Sequence, residues 1–296
     1  NTQGLDCSIS STGGTTAYKK AINSISNADE FDINMLITPG VVHGIHNSVT
    51  NHAISKCEAR GDTFYVLDCT KYGDTIATAT AAISSLDTNY AATYYPWVKI
   101  VDRNTSLPVW VPPSVVLAGT IAYTDKVAHE WFAPAGLNRG GLTTVLEAQT
   151  RLTHSERDDL YEDRVNPIAS FPGQGVCVWG QKTLQGRPSA LDRVNVRRLL
   201  IKLKKFIASS SRYLVFEQNS TATRNRFLNI TNPFLESVQA NSGLSAFRVV
   251  MDDSNNTPDV VDRNQLVGQI FIQPTRTAEF IVLDFVVQPT GAAFPE

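Results

Sequence analysis

The sequence predicts an α/β fold, α+β in part, and three observations lead there. The first half alternates helical and strand-like segments. Several of those strands are apolar at nearly every position, as strands covered by helices on both faces are. Three further strand-like runs gather behind two long helical segments near the C-terminus. With 296 residues, the chain suits two α/β domains with mixed sheets flanked by helices, expected over residues 1–160 and 161–296.

Tyr18, Ala21, Ile22 and Ile25 recur at helical spacing, and 33–37 follows as a strand ending in a Pro39-Gly40 turn. A helix over 47–60 stops at Gly61, a residue suited to the left-handed conformation past a helix end. The strand 63–69 precedes a helix capped by Asp74 and carrying Ile76, Ala79, Ile83 and Leu86. Residues 97–101 and 107–111 read as two strands about a polar turn, and Pro112-Pro113 leads into a helix over 114–126.

From Thr124 to Gly141 the pattern turns irregular and aromatic. A helix is expected to resume at Leu142 through Val145, Leu146, Gln149 and Leu152. An acidic helical segment through Glu156, Asp158, Asp159, Glu162 and Asp163 should end at Asn166-Pro167. Gly173-Gln174-Gly175 precedes the strand 176–179. Further on come a basic helix from Ser189, a buried strand at 213–216 and a helix over 221–240 broken at Pro233. The strands 245–251, 266–272 and 279–287 close the chain, the last apolar on both faces.

At 42% hydrophobic and 18% charged residues, the composition is that of an ordinary globular protein. No apolar run approaches the roughly 20 residues of a membrane span. The start lacks the basic and apolar regions of a signal peptide and an initiator Met, so the chain is expected to be a piece of a longer polypeptide. Cys7, Cys57, Cys69 and Cys177 are too irregularly spaced for a disulfide framework. Cys69 and Cys177 sit in apolar runs and read as buried free thiols of a reducing, intracellular compartment.

Signatures of catalysis are missing. His43, His46 and His52 have no Cys, Asp or Glu at ligand spacing, and His129-Glu130 lacks the second histidine of a zinc helix; solvated loop histidines are expected. The Asp252–Asp259 stretch resembles a calcium loop but places Pro258 where the turn needs glycine, leaving an acidic turn. Gly173-Gln174-Gly175 is not set between strand and helix, so it cannot cradle a pyrophosphate. Neither a Walker lysine nor a nucleophile elbow is present. No enzyme, no cofactor and no metal site is expected.

The one strong clue is charge segregation. Between Arg187 and Arg212, eight Lys or Arg accompany a single Asp, a local charge of +7 in a chain of −2 overall, so the remainder sums to −9. Val196, Leu199, Leu200, Leu203 and Ile207 mark one apolar stripe, Ser189 is a candidate cap, and Asp192 suits the first turn. The basic face is then expected to point outward. Three uses compete: a solvated face, a grip on phosphates, or a contact with an acidic surface on another copy of the chain. Nucleic acid is disfavoured because the rest of the chain is acidic and no aromatic residues interleave with the cations. For the copy-to-copy reading, the contact residues are Arg193, Arg197, Arg198, Lys202, Lys204 and Lys205 against Asp252, Asp253, Asp259 and Asp262. Reversing charge at Arg198 and Lys202 should then impair assembly and spare the fold.

Several stretches carry a family resemblance: 131–140 (WFAPAGLNRG), 192–199 (DRVNVRRL), 262–264 (DRN), 271–276 (FIQPTR) and 289–294 (PTGAAF). Together, in order, they resemble the C-terminal part of the contractile tail sheath proteins of tailed bacteriophages. Sheath proteins of type VI secretion systems and contractile bacteriocins are similar more loosely. The resemblance implies a structural virion subunit that polymerises helically around a tail tube and contracts to drive the tube through the host envelope for genome delivery. It implies that the C-terminal domain is the family's conserved sheath core. Implied partners are other sheath subunits, the tail tube protein, the baseplate and the tail terminator, with no membrane insertion and no direct nucleic acid. Assembly is expected in the host cytoplasm. Terminal arms that add strands to neighbouring subunits are implied too, here through Phe280, Val282, Leu283 and Phe285.

Overall fold

The structure, a computed structural model, describes residues 6–10 and 12–280. In chain order its elements are α1 (Gly13–Ser24), β1 (Met35–Val42), α2 (His43–Arg60), β2 (Phe64–Asp68), α3 (Ile76–Ile83), β3 (Ala91–Tyr95), β4 (Val98–Val101), β5 (Pro108–Val111), α4 (Pro113–Val127), β6 (Val145–Ala148), α5 (His154–Glu162), β7 (Val165–Phe171), β8 (Gly175–Val178), α6 (Val194–Ser211), α7 (Thr221–Ala240), β9 (Leu244–Val250), α8 (Pro258–Asp262) and β10 (Gln269–Pro274).

A five-stranded sheet in the order β1-β2-β3-β7-β8 forms the centre. Its first four strands run parallel and β8 closes the edge antiparallel. Strand periodicity sorts β2 between two cores. Tyr65 and Leu67 point into one, with Val49 and Ala53 of α2, Ala79 and Ile83 of α3, and Leu160 of α5. Phe64 and Val66 point into the other, with Leu117 and Ile121 of α4 and Val194 and Ile201 of α6. A small antiparallel sheet, β5-β4-β6, packs on that second side. Beyond α6, the helix α7 and the β9-β10 hairpin enclose a third core around Leu199, Leu203, Leu235, Val238 and Leu244.

The mixed α/β class is as expected, with several local corrections. Residues 145–148 form a strand, not a helix, paired with β4 from Val98↔Ala148 to Ile100↔Val145. Asn166-Pro167 lies inside β7 instead of stopping a helix; Arg164, at φ 67°, makes the turn just before it. β7 and β8, which follow residue 160, belong to the five-stranded sheet.

Pro233 sits within a continuous α7. The cap of α3 is Thr75, whose hydroxyl accepts from Thr78 N–H, while Asp74 accepts from Lys71 N–H. Ser189 caps a single 3-10 turn ahead of α6, which itself begins at Val194. β1 continues through Pro39-Gly40 to Val42, its pairing with β2 shifting register there.

The expected strand at 213–216 is a 3-10 turn leading into an exposed corner, with Phe216 at φ 71° and fully in solvent. Its apolar run lacks a neighbouring strand, and pattern alone does not separate such a run from a turn. His43 and His46 belong to α2, not a loop: buried His43 shares a 2.7 Å hydrogen bond with Thr50, and His46 Nδ1 accepts from Val42 N–H. Burial lowers the His43 pKa.

Candidate intersubunit surface

α6 owes its position to two apolar stripes, where the sequence suggested one. Val194 and Ile201 face the main sheet, and Leu199 and Leu203 face α7 and the hairpin. At 100° per residue these pairs lie on opposite sides of the helix, so α6 is a shared wall between the two halves. Arg198, Lys202 and Lys205, at i, i+4 and i+7, flank the Val194–Ile201 stripe and are turned toward the first half of the chain.

Acids of that first half meet them. Arg198 Nη2 pairs with Asp125 Oδ2 at 2.6 Å, and its Nη1 donates to the Glu130 carbonyl at 3.3 Å. Lys202 Nζ pairs with Glu130 Oε1 at 2.7 Å. Burial alone would raise the Glu130 pKa, but the hydrogen bond and charge of Lys202 carry it below the ordinary value. Lys205 Nζ reaches Asp32 Oδ1 and the Ile33 carbonyl, both at 2.6 Å, and its hydrogen bond lowers the Asp32 pKa. Farther along, Arg212 pairs with Asp29.

The other flank is also engaged. The Arg197 guanidinium lies 3.7 Å from the centre of the Tyr90 ring, a cation–π contact, and burial lowers its pKa. Lys204 is exposed, its Nζ resting in the space that a side chain at Gly61 would fill. Arg193 pairs with Asp192 at 3.1 Å and with Glu279 at 2.7 Å.

The expectation of an outward basic face is therefore corrected. Arg197 and Arg198 are each only 7% exposed, and most of the cations are neutralised within the chain. The physical reason is that Asp29, Asp32, Asp125 and Glu130 fold back onto the helix from the far half of the sequence. Sequence reading missed these partners. The only available signal was the grouping of Asp29, Glu30 and Asp32, which does not say what it faces.

On the acidic side, Asp252, Asp253, Asp259 and Asp262 are all exposed. Asp253 pairs with the largely buried Arg224, while Asp252 accepts from Ser254 in an acidic turn. Asp259 and Asp262 have no ion pair among the described residues. Phe280 is 75% exposed, and Val282, Leu283 and Phe285 lie outside the described residues.

The β9-β10 hairpin has two strands among the described residues, so the outer edge of each is unpaired. Its inner face is covered by α7 through Phe247, Val249, Ile270 and Ile272. A two-stranded hairpin with both edges open is a template for further strands.

No group of three or more His, Cys, Asp or Glu is placed to hold a metal among the described residues. Burial pushes the thiols of Cys57 up to about 12 and of Cys69 and Cys177 up to about 11, which leaves them protonated and unreactive at neutral pH.

Residues 14–184 match the family model of the phage tail sheath protein central domain, and 187–288 that of the phage tail sheath C-terminal domain. The chain is 37% identical over 271 residues to the tail sheath protein of Enterobacteria phage T4, covering 84% of this chain and 40% of that protein. It is 41% identical over 211 residues to the tail sheath protein of Vibrio phage KVP40, covering 71% of this chain and 30% of that one. The chain thus spans less than half the length of these curated relatives.

Among solved structures, the PVC sheath complex of an extracellular contractile injection system in the contracted state superposes with a TM-score of 0.76 at 26% identity, over 90% of this chain and 74% of that one. The contracted helical sheath of the anti-feeding prophage shares the fold, with a TM-score of 0.72 at 23% identity over 95% of this chain and 75% of that chain. The chain belongs to the phage tail sheath protein family.

Proposed function

We propose, from membership of that family, that the chain is the sheath-forming part of a structural subunit of a contractile phage tail. The subunit polymerises helically around the tail tube and contracts to drive the tube through the host envelope. Its role is structural, not catalytic. The observation that carries this is the double family match, which spans nearly the whole chain, from residue 14 to 288. Higher identity to phage tail sheaths than to the injection-system sheath, 41% and 37% against 26%, favours a phage tail over a related injection system. Engagement of the basic helix within the chain removes the main support for nucleic-acid binding.

Partners under this proposal are other copies of the subunit, the tube protein, the baseplate and the tail terminator, in a virion tail assembled in the host cytoplasm. The open edges of the β9-β10 hairpin would receive strands from neighbours, and the stretch after Glu279, with Phe280, Val282, Leu283 and Phe285, would supply one. Arg197 and Arg198 act as structural residues that join the two halves of the chain. What remains for contacts between copies is the solvent side of α6, Lys202 and Lys204, against Asp252, Asp259 and Asp262. We also propose a two-unit organisation with the junction near residue 185, between the two matched family domains, rather than at 160.

Electron microscopy of the intact parent protein tests the assignment. Hollow tubes are expected; a lone particle at every concentration would overturn it.

A further inference from the structure

At the far end of α6 from the exposed corner, three donors from separate stretches of the chain converge on one carboxylate. Tyr161 of α5 donates its hydroxyl to Glu279 Oε2 at 2.8 Å. Gln181, just past β8, donates its amide to Glu279 Oε1 at 3.0 Å, and Arg193, just before α6, donates Nε to the same oxygen at 2.7 Å. The Glu279 side chain is only 16% exposed.

The walls of this site are built, not incidental. Lys182 Nζ lies 4.5 Å from the centre of the Tyr161 ring, so the pocket carries a second cation. Burial, followed by the Glu279 charge, raises the Tyr161 pKa and keeps its hydroxyl a donor. The Gln181 amide has no other hydrogen-bond partner among the described residues. Just upstream, Asn195 Nδ2 donates to Thr277 Oγ1 at 3.1 Å, and Thr275 N–H reaches the Gly243 carbonyl at 3.2 Å. Phe280, the next residue, is exposed on the rim of a cleft of about 440 Å³.

We infer that Tyr161, Gln181 and Arg193 form a carboxylate-binding socket whose resident ligand is the chain's own Glu279. The socket pins the point from which residues 281–296 begin to the seam between the two halves of the molecule. A carboxylate there receives hydrogen bonds from Tyr161 and Gln181 and a charge-assisted one from Arg193, which also pairs with Asp192. Release of Glu279 would leave those donors exposed to loss together, so the site holds or lets go as a unit. The socket is a property of the single chain and does not rest on the sheath reading.

Trypsin provides the test, because Arg276 is exposed and lies inside the pinned segment. Cleavage after it releases the 20 residues 277–296. The rate is followed by mass spectrometry on the 296-residue chain, dilute enough to be a single particle. Glu279→Ala should speed this cleavage about tenfold or more, as expected when a buried charge network loses its centre. Tyr161→Phe, which keeps the ring, should speed it less. The double variant should match Glu279→Ala alone, since without the carboxylate the Tyr161 hydroxyl has nothing left to hold.

Cleavage after Arg60, whose side chain is 4% exposed, should not change in any variant. Equal rates in the parent chain and Glu279→Ala, multiplying effects in the double variant, or parallel acceleration at Arg60 would each overturn the socket. Failure of the parent protein to form tubes would sink the sheath reading and leave this result untouched.

Discussion

Arg198 and Asp125 form a 2.6 Å ion pair although 73 positions separate them in the chain, and only 7% of the arginine side chain is exposed. This pair joins α6, which builds both halves of the molecule, to the end of α4. It turns one cation of the strongly basic helix inward, as part of the internal framework.

Charge reversal at Arg198 should therefore damage the fold. Breaking a buried pair strands the remaining charge, at a cost of about 3–5 kcal/mol. Arg198→Glu should lower the urea midpoint accordingly, while Arg198→Met with Asp125→Leu should recover much of the loss. Retention of full stability by Arg198→Glu would show that the pair is dispensable.

Asp68 sets a pH dependence. Ser114 donates its N–H at 3.1 Å and its hydroxyl at 2.6 Å to this carboxylate. Burial nevertheless pushes the carboxyl up to about 6. The folded chain then holds a proton that the unfolded chain has released, so stability from this group is full below about pH 4 and is lost as pH rises to about 6. The displacement corresponds to ~3 kcal/mol. Asp68→Asn should flatten the difference between unfolding free energies measured at pH 4 and pH 6.5; an unchanged slope would contradict the assignment.

Gly61 ends α2 at φ 67°, with Lys204 lying over it. A side chain is strained in that conformation, so Gly61→Ala should cost about 1 kcal/mol in chemical denaturation. Gly61→Asn should cost less, because asparagine tolerates the left-handed region better.

The exposed acids separate assembly from folding. Replacing Asp259 and Asp262 by Lys should change stability by no more than about 0.5 kcal/mol per site, while Asp252→Lys should cost about 1 kcal/mol because Ser254 donates to that carboxylate. Tube yield of the intact parent protein, counted by electron microscopy, should fall. Undiminished tubes would remove these residues from the contact surface.

Much of the framework was legible in the sequence. The amphipathic helices α1, α4 and α6, the fully apolar β2 and the paired strands β4 and β5 follow from spacing that any local stretch displays. β3 (AATYY) escaped notice because its two alanines blur the apolar pattern, although Asp87 to Asn89 and Pro96 bracket it. The helix expected at residue 142 failed because Val145 and Leu146, read at helical spacing, are fixed instead by pairing with β4. The resemblance to tail sheaths rested on motifs around Trp131, Arg193 and Phe271, and the matched family domains contain all three.

By itself the sequence determined that a helix near residue 200 would be amphipathic and strongly basic, because periodicity and charge are properties of neighbours a few residues apart. Only the tertiary structure decided what those charges meet. Asp29, Asp32, Asp125 and Glu130 reach α6 across roughly 70 to 180 residues of chain. A long, flexible cation pairs with whichever acid the packed cores bring within reach, and the packing of distant segments leaves no local trace in the order of residues.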